Sequence, residues 1–249
     1  MIRNGLFWAD NFERMFIPGI EALAECLGRR ILPSFANLKE EADRVEQEEY
    51  ERWGASAGLE FDPSQAAEAA REAALSHYQI MKGVEQGVLN MFAAMCYHLF
   101  EQQLLLFHRR ELLRPEEENS APLLKLGEVK RRLVEHGIDI TRFSVWAKID
   151  ELHLVANVVK HAEGGSADTL RARNSELFIR PDPVIRSIFG HRIEPSGWLY
   201  QPLMGEDFYV TLEIFQSYTK AVTDFWEELA TVLRGQQSGS PRPRLPPRH

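Results

Sequence analysis

Apolar residues recur every three or four positions along most of the chain, which is the period of an α-helix with one buried face. The pattern is clearest from Met81 to His98 and in a final stretch from Phe215 to Val232. Segments of this kind bury their apolar faces by packing against one another. The pattern therefore predicts an all-α protein in which the helices form a bundle.

One helix is predicted to be far longer than an average helix. Asp62 supplies a capping carboxylate and Pro63 suits the first helical position, and the apolar periodicity then continues to about Leu113. Towards its end the segment is apolar nearly all round, which places it in the middle of the bundle. Gly83 and Gly87 lie within it and either kink the helix or admit a close neighbour.

Proline and glycine divide the rest of the chain into shorter predicted helices. Pro18 and Pro33 are expected to interrupt the first part of the chain. Gly164-Gly165 is a strong stop signal for the helix that precedes it. The further helices are predicted over residues 37–53, 123–135, 143–163 and 166–178.

An irregular excursion is predicted near residues 179–204, where prolines and glycines replace the helical period. A small hairpin is expected around Trp198–Gln201, and the apolar residues of the excursion predict that it packs on the bundle. Residues 1–234 are predicted to form a single helical-bundle domain. Residues 235–249 are rich in proline and arginine and are predicted to be a disordered tail.

Composition narrows the classes of function. The chain has 249 residues and a formal net charge of −8, which argues against a broad nucleic-acid-coating surface and leaves room for a small local basic site. Cys26 and Cys96 show no metal-type spacing and are expected to be reduced thiols. The N-terminus has no signal-peptide core and no apolar run is long enough to span a membrane, so we expect a cytoplasmic protein.

A stripe of polar side chains marks the predicted helix 143–163. Asp150, His153, Asn157 and His161 are separated by three or four residues, with Lys160 beside them, so they share one side of the helix. In a structural interpretation, the histidine and the lysine stabilise the C-terminal end of the helix and the stripe is a solvated face. In a functional interpretation, the same groups form a site.

A metal site is one form that this site could take. Asp150 and His153, together with His161, offer ligand types at helical spacing, and His98 and Glu101 could join them from the long helix. The Glu-x-x-His pairs of di-iron bundles and the HExxH motif are missing from the sequence. We therefore predict neither a metal nor another cofactor.

Asn157 and His161 also carry a resemblance. Asn157-x-x-x-His161 at a helix end resembles the signature of HEPN-type domains (higher eukaryotes and prokaryotes nucleotide-binding), which are helical and often show Arg, a polar residue, three further residues and His. The position of the family's arginine is Ala156 in this chain, a clear departure. The resemblance covers about a tenth of the chain, together with its all-helical character.

The resemblance implies metal-independent cleavage of RNA in those members of the family that are active. His161 would then transfer a proton, Asn157 would orient the substrate, and a cation would stabilise the phosphate. Lys160 could supply this charge, as could Arg171 or Arg142. Catalytic roles thus fall on His161, Asn157 and Lys160, with Asp150, His153 and Arg171 in support; endoribonuclease activity remains a hypothesis without the motif arginine.

Two functions follow as expectations. The first is a HEPN-like protein of a bacterial stress, toxin or phage-defence system that acts on or binds RNA through the Asn157/His161 face, as a homodimer. The second is a non-catalytic, degenerate HEPN-like module that docks a partner protein. The missing motif arginine is the feature of the sequence that favours the second.

Overall fold

A computed structural model describes residues 2–56, 62–181 and 197–238. The prediction of an all-α helical bundle is confirmed, and the described residues contain no β-strand. The helices are α1 Gly5–Asn11, α2 Ile17–Cys26, α3 Leu38–Ser56, α4 Pro63–Phe107, α5 Leu126–Glu135, α6 Trp146–His161, α7 Gly165–Arg173 and α8 Leu212–Ser238. None of the helices in this part of the chain is both long and apolar enough to cross a membrane.

The long helix predicted from Asp62 is α4, with 45 residues. Its first turn is capped as predicted, because the Asp62 carboxylate accepts a hydrogen bond from the backbone N–H of Ser64 at 2.8 Å. A π-helical turn, His108–Leu112, follows α4, and the chain leaves the helix at Leu113 in an extended conformation. Both ends of this helix therefore lie close to their predicted positions.

Prolines follow the two π-helical turns in the first part of the chain, which the sequence pattern did not predict. Phe12–Phe16 and Leu27–Ile31 are such turns, and Pro18 and Pro33 follow shortly after them. A proline ring clashes with the carbonyl four residues back in an α-helix, whereas a π turn bonds each N–H to the carbonyl five residues back. The interruption predicted at Pro18 is wrong, because the helical path widens there and continues into α2.

The described chain groups into two compact units. The first unit comprises Met1–Ala24, Met95–His153 and Gln216–His249, and the second comprises Glu25–Ala94 and Leu154–Phe215. Helices α2, α4, α6 and α8 contribute residues to both units. The prediction of one domain over residues 1–234 stays a prediction, and α8 continues past the predicted tail boundary at Gly235 to Ser238. The rest of the predicted tail lies outside the described residues.

The core of the first unit is aromatic. Phe12 packs on Trp226 with a ring-centroid distance of 4.7 Å and on Phe107 with a distance of 5.4 Å. Phe100 packs on Phe225 at 4.9 Å, and all five rings are fully buried. The apolar seam predicted for the final helix therefore faces the interior, as a bundle seam should.

In the second unit, the backbone near Leu203 crosses α4 at its two glycines. A Cβ atom at Gly87 would lie 2.0 Å from the carbonyl oxygen of Leu203, and one at Gly83 would lie 2.6 Å from that of Met204. Real Cβ atoms do not approach so closely, so only glycine admits this crossing. The sequence left open whether these glycines kink the helix or admit a close neighbour, and the structure shows the close neighbour.

The excursion near residues 179–204 is irregular where the structure describes it, and residues 182–196 lie outside the described part. A single 3₁₀ turn, Pro202–Met204, is its regular element among the described residues. No strand forms over Trp198–Gln201, so the predicted hairpin is wrong. The backbone N–H groups of Leu199 and Tyr200 donate instead to the carboxylates of Glu163 and Asp207.

Candidate functional site

The connection between α6 and α7 places the residues that the sequence singled out. Helix α6 ends at His161, two residues earlier than predicted, and Ala162 adopts a left-handed conformation with φ 58°. Gly164 has φ 147°, a value that L side chains rarely adopt, and it precedes α7 directly. The Gly164-Gly165 pair thus begins the next helix and does not close α6, because Ala162 has already done so.

Lys160 and His161 are the last two residues of α6, and both are exposed. Two cationic side-chain types in the last turn stabilise a helix by opposing its dipole. The same exposure leaves the ammonium group and the imidazole accessible to an external ligand. This end of α6 can therefore contact an anion, such as the phosphate of a nucleic acid.

Asn157 is half-buried, and its amide forms a hydrogen bond within the fold. The Nδ2–H group donates to Oγ of Ser166 at 3.3 Å, which joins α6 to the first turn of α7. An asparagine amide can make further hydrogen bonds through its oxygen and its second N–H. The orientation of the amide is nevertheless fixed by Ser166, so Asn157 acts first as a link between these two helices.

The position of the missing motif arginine faces the interior. Ala156 is 1% exposed and lies among the buried side chains of Val155, Val158 and Val159. A guanidinium group placed there would have to leave water, which is costly for a charged group. The substitution of alanine for arginine therefore matches the packing of this chain, and the cation expected from the family has no room at its own position.

Arg171 was predicted to support the site, and the structure pairs it with Glu163. Its two terminal nitrogens donate to the Glu163 carboxylate at 2.6 and 3.2 Å, and its guanidinium lies 4.9 Å from the centre of the Phe178 ring. The Arg171 guanidinium lowers the pKa of the Glu163 carboxyl. The charge of Arg171 is thus largely neutralised by Glu163 within the second unit.

Glu163 has a second role, which the sequence did not indicate. Its Oε1 atom also accepts a hydrogen bond at 2.6 Å from the backbone N–H of Leu199. Because Glu163 follows His161 by two residues, this bond holds the 198–200 segment beside the end of α6. Leu199 is buried, whereas Trp198 is 66% exposed and Tyr200 is 74% exposed.

We call Lys160, His161, Trp198 and Tyr200 the α6-end site. No family model, curated protein or solved structure matches the chain. The roles of these four residues are therefore argued from geometry, and the HEPN-like assignment remains a prediction. The excursion was predicted to pack on the bundle through its apolar residues; of those that the structure describes, Leu199 is buried, whereas Trp198 and Tyr200 are exposed.

Asp150 and His153, the other two predicted supporting residues, belong to the first unit. The imidazole of His153 stacks on the ring of Tyr97 with a centroid distance of 4.9 Å. Burial raises the pKa of the Tyr97 hydroxyl, and the carboxylates of Glu101 and Asp150 raise it further. Within the described residues, no group of three or more His, Cys, Asp or Glu side chains is placed to hold a metal ion.

The basic strip on α5 is neutralised by carboxylates. Arg132 donates to Glu117 at 3.0 Å and to Glu128 at 3.2 Å, and Arg131 pairs with Glu128 as well. Lys130 lies 4.5 Å from the centre of the Trp146 ring. These pairings are those of a solvated helix face, and they leave the end of α6 as the better candidate for anion contact.

Proposed function

We propose that this chain binds RNA at the α6-end site. The observation that carries the proposal is the hydrogen bond from Leu199 to Glu163, because it holds a segment with two exposed aromatic rings near the end of α6, where Lys160 and His161 are exposed. Cations contact phosphates, and aromatic rings stack on bases; together they are the usual components of an RNA-binding surface. The bacterial stress, toxin or defence setting implied by the resemblance belongs to the same proposal.

The geometry favours binding over cleavage. Electrostatic stabilisation of the phosphate is usually the largest catalytic contribution in reactions of this type. The position of the motif arginine is Ala156 in the core, and the guanidinium of Arg171 is paired with Glu163. Lys160 is exposed at the end of α6, but it precedes His161 directly and so points about 100° away from it around the helix. His161 is accordingly proposed as a contact to RNA.

The test uses a fluorescein-labelled 20-nucleotide RNA that contains a hairpin and a single-stranded arm. Anisotropy is measured for the wild type, for a Lys160→Ala/His161→Ala double variant, and for Lys39→Ala, which removes an exposed lysine from α3. We expect the double variant to bind at least tenfold more weakly and the Lys39 control to bind as the wild type. Equal binding by all three proteins would refute the site.

The same samples, incubated in EDTA and separated on a denaturing gel, measure cleavage. We expect intact RNA with the wild type. Fragments that end in a cyclic or 3′-phosphate and disappear with His161→Ala would instead support the ribonuclease hypothesis. In that case His161 would be a general acid or base in spite of the missing arginine.

A second candidate, the docking of a partner protein, has its own supporting observation. Ile80, Met91, Leu203 and Met204 are all exposed, and they lie around the crossing of the chain over α4. Ile80 precedes Gly83 by three residues and Met91 follows Gly87 by four, so both lie on the crossed face of the helix. Exposed apolar patches of this kind often bind proteins.

The two candidates separate in a paired experiment. A partner recovered on the wild type should be lost with Leu203→Lys/Met204→Lys if it binds this apolar patch, and it should be retained by the Lys160→Ala/His161→Ala variant. RNA binding should show the opposite dependence on the two double variants. A partner that is lost with neither variant would remove the docking candidate.

A further inference from the structure

The α6-end site contains two rings that point outward from an anchored backbone. Leu199 is buried, whereas the residues directly before and after it are exposed, and the chain bends at Tyr200. Trp198 and Tyr200 therefore flank one anchored residue, and both rings are accessible to an external ligand.

The backbone that carries these rings is fixed at several points. Glu163 binds the N–H of Leu199 at 2.6 Å, and the buried amide of Asn90 donates to the carbonyl of Pro202 at 2.7 Å. The chain then lies directly on Gly83 and Gly87 of α4. A platform that is already ordered loses little conformational entropy when a ligand stacks on it.

Stacking on a protein side chain requires a base whose face is free. In an RNA duplex the bases stack on one another, and a protein reaches mainly the sugars and phosphates. In a single strand the bases can splay apart and stack on aromatic rings, whatever their sequence. Two exposed aromatic rings would add little to duplex binding, whereas they fit unpaired nucleotides.

We propose that the α6-end site is selective for single-stranded RNA, with unpaired bases stacked on Trp198 and Tyr200 and the backbone phosphates contacted by Lys160 and His161. This inference rests on the proposed function, since it names the form of RNA that the same site binds. The site reads no particular base, because every base offers a face for stacking.

The test compares a labelled single-stranded 12-mer with the same strand annealed to its complement. The variants are Trp198→Ala, Tyr200→Ala and the conservative Trp198→Phe, and the matched control is Phe7→Ala, which removes an aromatic ring of similar exposure (63%) from α1. Thermal unfolding of each variant verifies that the fold is kept, as expected for substitutions of exposed side chains.

We expect the wild type to bind the single strand at least tenfold more tightly than the duplex. Trp198→Ala and Tyr200→Ala should each weaken single-strand binding about 5- to 30-fold, Trp198→Phe should retain most of the affinity, and Phe7→Ala should bind as the wild type. Stacking should also quench tryptophan fluorescence in the wild type, and the quenching should shrink in Trp198→Phe although this variant still binds.

Two failures are distinguishable. If the wild type binds both forms of RNA equally, and Lys160→Ala/His161→Ala weakens binding while the aromatic variants do not, the single-strand inference is overturned and the proposed function stands. If no form of RNA binds and an apolar variant such as Leu203→Lys abolishes capture of a protein, both the inference and the proposed function are overturned.

Discussion

Asn90 shows how a single polar residue in the core can position a surface loop. Its side chain is completely buried, and the amide N–H groups donate to the carbonyls of Pro202 and Phe208 at 2.7 and 2.8 Å. The amide oxygen accepts from the Val210 N–H and from Gln86, each at 3.0 Å. Every hydrogen-bonding group of the side chain is used, so the 202–210 backbone is bound to α4 without an unpaired buried group.

Replacing Asn90 with aspartate tests this role at constant shape. The new carboxylate oxygen would face two carbonyl oxygens in a buried site, and both donors would be lost. We expect the free energy of unfolding to fall by about 3 kcal/mol or more. Urea unfolding measures it, with Gln79→Glu as the control, since that exposed amide on α4 should tolerate the same change within about 0.5 kcal/mol. A similar loss in both variants would argue against the network.

His108 is a buried residue whose protonation the fold opposes. Its Nε2–H group donates to the carbonyl of Leu123 at 3.0 Å, while Nδ1 is buried and has no hydrogen-bond partner among the described residues. Burial lowers the pKa of this imidazole below 6.5, and Arg132 lowers it further. The carbonyl of Leu123 and the carboxylates of Glu128 and Glu117 oppose the shift without reversing it.

The sign of the resulting pH dependence follows from linkage. Below pH 6.5 the unfolded chain takes up a proton at residue 108 that the folded chain does not. The free energy of unfolding is therefore highest near neutral pH, as far as this residue contributes, and it falls as the pH drops below 6.5. Because other groups titrate as well, the test compares how the free energy of unfolding changes with pH in the wild type and in a variant without this histidine. Between pH 7.5 and 5.5, His108→Gln should lose less stability than the wild type, by up to about 1.4 kcal/mol per pH unit. Parallel pH profiles would exclude His108 as the cause.

The residues of the candidate site were only partly predictable from the sequence. The helical spacing identified Lys160 and His161 correctly as neighbours at a helix end, because the period of a helix is local. The partnership of Glu163 with Leu199 and that of Asn90 with Pro202 join residues far apart in the chain, and no local pattern records them. The exposure of Trp198 beside the buried Leu199 depends on such contacts, so no local pattern could distinguish the two residues.

At the scale of elements, the helices were predictable and the joints between them were not. Apolar periodicity and the Asp62-Pro63 start located α4 to within a few residues. The π turn at Phe12–Phe16 and the left-handed Ala162 depend on how a helix adjusts to a proline or to the next helix. Such adjustments follow from tertiary packing, and the sequence shows only that a proline or a glycine is near.

The crossing of the 203–204 backbone over α4 predicts that a substitution in the helix also disturbs the loop. Gly87→Ala would place a Cβ atom 2.0 Å from the Leu203 carbonyl oxygen, so the loop must move or the helix must bend. We expect a loss of about 2–4 kcal/mol in unfolding free energy. Gly28→Ala is the control, because nothing lies within 4 Å of its Cβ position and alanine favours a helix by up to ~1 kcal/mol. Equal stability of the two variants would show that the crossing is not tight in solution.

Considered as a whole, the molecule has a charge balance that disfavours the binding of polyanions. It carries 37 acidic against 29 basic residues, excluding histidine, and its net charge of −8 repels nucleic acid at long range. Within the described chain, several of its arginines are paired with carboxylates, as Arg132 is with Glu117 and Arg171 with Glu163. Any affinity for RNA must therefore come from a small site, with stacking contributing a larger share than charge.

This balance predicts a shallow dependence of RNA binding on salt. Each phosphate contacted in a single strand contributes a slope of about −0.7 to log K against log salt concentration. Lys160 and His161 can contact two phosphates at most, so we expect a slope no steeper than about −1.4 between 50 and 300 mM salt. Lys160→Ala should flatten the slope by about 0.7, whereas Trp198→Ala should lower the affinity and leave the slope unchanged, because stacking releases no counterions. A slope of −4 or steeper, unaltered by Lys160→Ala, would mean that RNA binds along a broad surface elsewhere, and the α6-end site would then have no part in it.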